Sequence, residues 1–135
     1  MNILKVILVD DNEIFRRAIK NLLIKEYNVE IIGEASNADE FLALNNYHMA
    51  SIILMDIMMP GTDGITLAKR VLWERPDLKI IAITMHVDKV YLKALIEAGF
   101  KGCIFKTNLY SEIINAIDSV HKGQLYFPSN IILSN

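Results

Sequence analysis

Five residues have types and positions that could do chemistry together: Asp10, Asp11, Asp56, Thr84 and Lys106. Three carboxylates brought to one place repel one another, so at neutral pH they need a cation or must take up protons. Ligands that are all oxygen favour a hard cation, and a site that keeps several waters suits Mg²⁺. A carboxylate beside Mg²⁺ and a lysine can act as a nucleophile toward phosphorus, because both cations offset its repulsion from an incoming phosphoryl group. The Thr84 hydroxyl could donate to a phosphoryl oxygen. Together these residues point to an aspartyl phosphate, provided the fold gathers them.

The elements around them meet that condition. Ile3 to Val9 is a β-branched-rich run that stops at Asp10-Asp11, and Ile52 to Met55 is an apolar run that stops at Asp56. Leu78 to Thr84 is nearly all aliphatic, and the short run Gly102 to Phe105 ends at Lys106. Val29 to Ala35 forms one more strand, with Gly33 as a bulge or a close approach. Helical spacing fills the intervals. Ile14, Phe15, Ala18, Ile19, Leu22 and Leu23 mark a helix from the Asn12 cap to about Glu26. Ser36-Asn37 caps a short helix that buries Ala38, Phe41, Leu42 and Leu44. After the turn at Pro60-Gly61, with Thr62-Asp63 as caps, a third helix buries Ile65, Ala68, Val71 and Leu72 and is stopped by Pro76. A fourth carries Val90, Leu92, Leu95 and Ala98 and ends at Gly99; a fifth carries Leu109, Ile113, Ala116, Ile117 and Val120 and closes at Gly123. Five strand-helix units with continuous apolar strands predict an α/β fold with a parallel sheet covered by helices on both faces. Right-handed crossovers place every strand's carboxyl end on one rim, where such sheets bind ligands.

Composition agrees with one domain. The 135 residues are 53% hydrophobic and 22% charged, with a net charge of −2, which gives no support for nonspecific nucleic-acid binding. The single cysteine, Cys103, excludes an internal disulfide and fits a cytoplasmic setting. The apolar N-terminus is too short for a membrane span and lacks a signal-peptide cleavage pattern, so it reads as a strand and no membrane partner is expected.

Over nearly its whole length the sequence resembles a receiver domain of a two-component response regulator. The residues that carry the resemblance are Asp10-Asp11, Asp56, Pro60-Gly61 with Gly64, Thr84 and Lys106, in order and at strand ends. The resemblance implies a flavodoxin-like doubly wound sheet of order 2-1-3-4-5. It implies Asp56 as the phosphoacceptor from a histidine kinase or a small phosphodonor. Asp11 would bind Mg²⁺ directly, Asp10 mostly through water, and Met58 through its backbone carbonyl. Lys106 would hold the phosphoryl group, and Thr84 would move toward it. That movement would be coupled to the surface of the fourth helix, fifth strand and fifth helix, where partners or a second subunit bind. Such a protein is a signalling receiver rather than an enzyme, with weak self-phosphorylation and autodephosphorylation.

The segment from Gly102 to Ile131 resembles the end of receivers in the NarL/FixJ-type subfamily, in which a DNA-binding domain usually follows. Residues 1–123 are thus expected to be the receiver and 124–135 a tail or the start of a linker. The apolar Ile131-Ile132-Leu133 favours the receiver part of a transcription regulator over a single-domain phosphorelay protein. One position departs from the family: an aromatic switch residue usually stands three residues before the lysine, and here it is Cys103, which reads as a small buried hydrophobe. Phe100 and Phe105 are the candidates to replace it. Trp73 and the Met55, Met58, Met59 cluster read as packing, and His86 as a loop residue near the rim. Competing functions fit less well. Flavin binding on this fold needs a hydroxyl- and glycine-rich loop where Asp10-Asp11-Asn12 stands. A stand-alone Mg²⁺ phosphohydrolase would carry its nucleophile on the first strand with a second acid two residues on, for which Glu13 is a weak match. A degenerate receiver would not keep the full set of acids, threonine and lysine.

Overall fold

The structure, a computed structural model, describes residues 3–26, 28–85 and 88–128. His86 and Ile131-Ile132-Leu133 lie outside the described residues. Five parallel strands, β1 (Leu4–Val9), β2 (Val29–Ala35), β3 (Ile52–Asp56), β4 (Ile80–Thr84) and β5 (Gly102–Phe105), pair in the order β2-β1-β3-β4-β5. Between them run α1 (Glu13–Glu26), α2 (Ala38–Leu42), α3 (Gly64–Glu74) and α4 (Lys89–Ala98), and α5 (Leu109–His121) follows the last strand. This is the doubly wound, flavodoxin-like arrangement expected.

Side-chain alternation divides the core in two. Val6, Leu8, Ile52, Leu54, Ile81, Ile83 and Ile104 pack with Ile19 and Leu23 of α1 and Ile113 and Ile117 of α5. Their neighbours Ile7, Val9, Ile53, Met55, Ile80, Ala82 and Cys103 pack with α2, α3 and α4 on the other face. Each fully buried aliphatic side chain contributes about 1.5–3 kcal/mol. Both faces are therefore anchored, and the strand ends are held still.

Register sets the rim. Val9 pairs with Met55, which puts Asp10 beside Asp56; Asp56 pairs with Ile83, and Thr84 pairs with Phe105. Each of the four functional strand ends thus finishes within a residue of its neighbour. The irregularity anticipated at Gly33 is present: the β1–β2 register shifts between Val6 and Ile7, and a Cβ on Gly33 would lie 3.1 Å from Leu44 Cδ1. The segment after α5 also reaches the sheet. Tyr126 forms a parallel bridge with Gly102, donating to the Lys101 carbonyl at 3.0 Å and accepting from the Cys103 amide at 2.8 Å.

Several sequence expectations need correction. Ile14 and Val90 are both 79% exposed rather than core residues. Each lies five residues before a stripe residue (Ile19, Leu95), about 140° away around the helix at roughly 100° per residue. Trp73 is 88% exposed for the same kind of reason: it lies five residues after buried Ala68, on the outward side of α3. On that helix Leu67 is buried, whereas Ile65 and Leu72 are only partly so. α2 stops at Leu42, with Leu44 in the loop beyond it, and β4 starts at Ile80, with Leu78 buried ahead of it. Met55 and Met59 are core, but Met58 is exposed.

Candidate functional site

Asp10 and Asp56 continue the alternation of Leu8 and Leu54, so both project toward the α1/α5 side of the rim, as does Lys106 after Ile104. Both acids are buried, at 3% and 2% exposure. The Lys106 ammonium lies between them, 3.2 Å from Asp10 Oδ2 and 3.3 Å from Asp56 Oδ2. Phe15, in the first turn of α1, places its ring under the same ammonium, with Nζ 4.6 Å from the centroid. Thr84 is fully buried at the end of β4 and continues the alternation of Ala82, toward the α4 side.

The local turns follow from the acids themselves. Asp10 Oδ1 accepts the Asn12 amide at 2.8 Å, and Asn12 Oδ1 accepts the Phe15 amide at 3.0 Å, capping α1. Asp56 Oδ1 accepts the Met58 amide at 3.1 Å. The loop then turns at Gly61, whose φ is +79°, and α3 begins at Gly64 against the back of the site. A Cβ on Gly64 would stand 2.5 Å from the Asp56 carbonyl oxygen and 2.8 Å from Ile57 Cα, so only glycine allows this approach. Asp63 caps α3 by accepting the Thr66 amide at 2.8 Å.

Charge is not balanced in this pocket. Asp56 is raised to about 6, first by burial and then by the Asp10 carboxylate, against the opposing pull of Lys106 and the Met58 amide. Asp10 Oδ2 is buried and accepts no hydrogen bond: Lys106 is close enough to attract it but is not aligned to donate. One ammonium thus serves two buried acids, with exposed Asp11 alongside. Oxygens of Asp10, Asp11 and Asp56 lie within 4.8 Å of one another. A hard divalent cation fits this donor set, and would meet the buried oxygen that Lys106 leaves without a hydrogen bond.

All five residues singled out for chemistry reach the rim, and Met58 lies in the loop directly after Asp56. Three others at the site were not anticipated in these roles. Phe15, expected in the buried stripe of α1, is partly buried there and supports Lys106. Arg16 donates to the Asp10 carbonyl, and its signal was a cation three residues before Ile19 in the buried stripe. Tyr91 of α4 donates its hydroxyl to Met58 Sδ at 3.5 Å, and its phenol is raised by burial and then by Asp63 and Asp56. Cys103 is 1% exposed, its thiol pushed up to about 12 by burial and then by Glu112. Phe100, buried, and Phe105, partly buried, pack on the same side of the sheet as Cys103.

Comparison with known proteins agrees with this geometry. Residues 6–118 match the family described as the response regulator receiver domain. The chain is 31% identical over 128 residues to the response regulator UvrY of Escherichia coli strain K12, covering 95% of this chain and 59% of that protein. It is 35% identical over 128 residues to the transcriptional regulatory protein LiaR of Bacillus subtilis strain 168, covering 95% and 61%. The chain therefore spans about three-fifths of the length of these relatives. Among solved structures, a LuxR-family two-component response regulator from Aurantimonas sp. SI85-9A1 superposes with a TM-score of 0.90 at 25% identity, covering 97% of this chain and 94% of that one. The isolated receiver domain of RcsB from Salmonella enterica serovar Typhimurium, solved with the phosphomimetic BeF3⁻, superposes with a TM-score of 0.85 at 28% identity, covering 97% of both chains. This chain belongs to the response regulator receiver domain family, and its relatives are response regulators of the LuxR/NarL type.

Proposed function

We propose that the chain accepts a phosphoryl group on Asp56 in a Mg²⁺-dependent reaction and passes the change to an output. The observation that carries this reading is the buried pair of acids sharing one ammonium, with Asp56 raised to about 6 and Asp10 Oδ2 without a hydrogen bond. Such a pocket is short of positive charge before any phosphoryl group arrives. Asp10, Asp11, Asp56 and the backbone carbonyl of Met58 would hold the metal. When bound, the cation would neutralise the acids and polarise the phosphoryl oxygens. The Asp56 carboxylate attacks phosphorus; the O–P bond forms as the N–P bond to a kinase histidine breaks, and the imidazole takes a proton from solvent. Lys106, already 3.3 Å from Asp56 Oδ2, is placed to pair with the transferred phosphoryl oxygens. The buried Thr84 hydroxyl is the group that would move to meet them.

The partner on the donor side is a sensor histidine kinase, and the face of α4, β5 and α5 is the candidate surface for a second subunit. Output runs through a DNA-binding domain outside this chain; the transcriptional role named for LiaR and a structure of RcsB dimers bound to DNA, 28% identical to this chain, support that reading. Residues 1–123 form the receiver and 124–135 the tail or start of a linker. Among the described residues no helix is long and apolar enough to cross a membrane. The test is incubation with labelled acetyl phosphate. One phosphate per chain should be taken up with Mg²⁺, none with EDTA, and none by Asp56→Asn. Label that persists in Asp56→Asn sinks the assignment.

A further inference from the structure

Arg16 is a cation that the phosphoryl chemistry does not use. Its side chain is 12% exposed, although arginines near the start of a surface helix ordinarily extend into water. It stands three residues before Ile19 and seven before Leu23, in the stripe that α1 turns toward the sheet. Its guanidinium meets three acceptors. Nε donates to Glu34 Oε1 at 3.1 Å, while Nη1 donates to Ser36 Oγ at 3.1 Å and to the backbone carbonyl of Asp10. Glu34 is fixed in turn by Lys20 at 3.1 Å. Burial pushes the Glu34 carboxyl up, but the bonds and charges of Lys20 and Arg16 outweigh it and hold the group below its ordinary value. Glu34 is therefore a charged anchor at the end of β2.

The Asp10 carbonyl belongs to the peptide that joins the two acids, so its direction decides where Asp11 leaves the strand. The Asp10 side chain is tied to the Asn12 amide, and the Arg16 amide donates to the Asn12 carbonyl at 3.0 Å. Arg16 thus ties the turn between β1 and α1 to the first turn of α1 and fastens it to β2. We propose that Arg16 is a positioning residue for the metal site: it holds the Asp10–Asp11 peptide in the orientation that lets both carboxylates face one cation. The proposal rests on the reading of Asp10, Asp11 and Asp56 as ligands. Groups that orient metal ligands without touching the metal typically change affinity by about 10- to 100-fold when removed. A lysine carries the charge but not the planar, forked set of donors, so it should restore only part of the effect.

The experiment is calorimetric titration of the full chain with Mg²⁺ alone, for the unaltered protein, Arg16→Met, Arg16→Lys and Glu34→Gln, with Asp11→Asn as the ligand control. Amide spectra of the metal-free proteins are recorded in parallel. The expected result is a loss of about 10-fold or more in Mg²⁺ affinity for Arg16→Met, a smaller loss for Arg16→Lys and the smallest for Glu34→Gln. The Asp11 and Asn12 amide signals should shift in the same order while those of β4 and β5 stay in place. If Arg16→Met binds Mg²⁺ as tightly as the unaltered chain, the proposal is overturned. If Arg16→Met does not fold, unchanged affinity in both Arg16→Lys and Glu34→Gln overturns it. Failure of the unaltered chain to bind Mg²⁺, or full binding by Asp11→Asn, would overturn the ligand assignment and this proposal with it. Binding that depends on Asp11 but not on Arg16 would overturn the proposal alone.

Discussion

Two buried regions lie a few residues apart along the sheet and are built on opposite terms. At the ends of β1, β3 and β5, Asp10, Asp56 and Lys106 are withdrawn from water with two acids to one cation and an acceptor without a hydrogen bond. In the middle of β5, Cys103 is equally buried, packs among apolar neighbours, and its amide is paired with the Tyr126 carbonyl. The first region is unfavourable by itself and would improve when a cation joins it. The second is complete as it stands. Burial alone does not mark a site; burial that leaves polar groups in want of a partner does.

Substitutions in the two regions should therefore fail in different ways. The largest effect belongs to Lys106→Ala, which removes the ammonium shared by both acids. Phosphoryl uptake from acetyl phosphate should slow by roughly 10²-fold, and an unchanged rate together with unchanged conformational response would remove Lys106 from the site. Next comes Gly64→Ala, where the new methyl meets the Asp56 and Ile57 backbone. A loss of about 2 kcal/mol in denaturant unfolding is expected, whereas a stability within error of the parent would mean that the Asp56 loop tolerates displacement.

The pH dependence separates the regions further. The Asp56 carboxyl is raised to about 6 in the folded chain, against roughly 3.9 when unfolded. The folded state binds this proton more tightly, so the group's contribution is full below the unfolded value. It is lost as pH rises through the folded value. In metal-free buffer, between about pH 4.5 and pH 7, the parent should lose on the order of 2 kcal/mol relative to Asp56→Asn. Parallel curves for the two proteins would contradict the raised carboxyl. The smallest effect is expected at β5. Cys103→Ala should lower stability by about 1 kcal/mol through the cavity it leaves and leave the rate of phosphoryl uptake as it was. A slowed uptake would tie β5 to the chemistry more closely than its packing indicates.

The difference between the two regions also explains what could be read from the sequence. Strand ends are legible because an apolar run that stops at a carboxylate or a lysine is a local signal, and a parallel sheet gathers such ends without further information. Asp10, Asp56 and Lys106 are legible in that way, and Thr84 only through its place on the same rim. Helix contributions were harder. Ile14, Val90 and Trp73 are apolar residues whose angular phase, about 140° from a buried residue, outweighs their hydrophobicity. Arg16 is the reverse case, a charged residue in the correct phase for burial, whose purpose becomes visible only when the Asp10 carbonyl and Glu34 are seen beside it. The Lys106–Phe15 and Tyr91–Met58 contacts join distant elements, and no short-range pattern reports them.

The central claim is that the crowded pocket, through Asp56, is where phosphate is written. Its most direct test is borohydride trapping after acetyl phosphate and Mg²⁺ treatment, which reduces an aspartyl phosphate to homoserine at the modified position. Peptide mapping should find homoserine at position 56, none at positions 10 or 11, and none anywhere when Mg²⁺ is chelated. Homoserine at another aspartate, or uptake of phosphate that borohydride does not convert, would contradict the account.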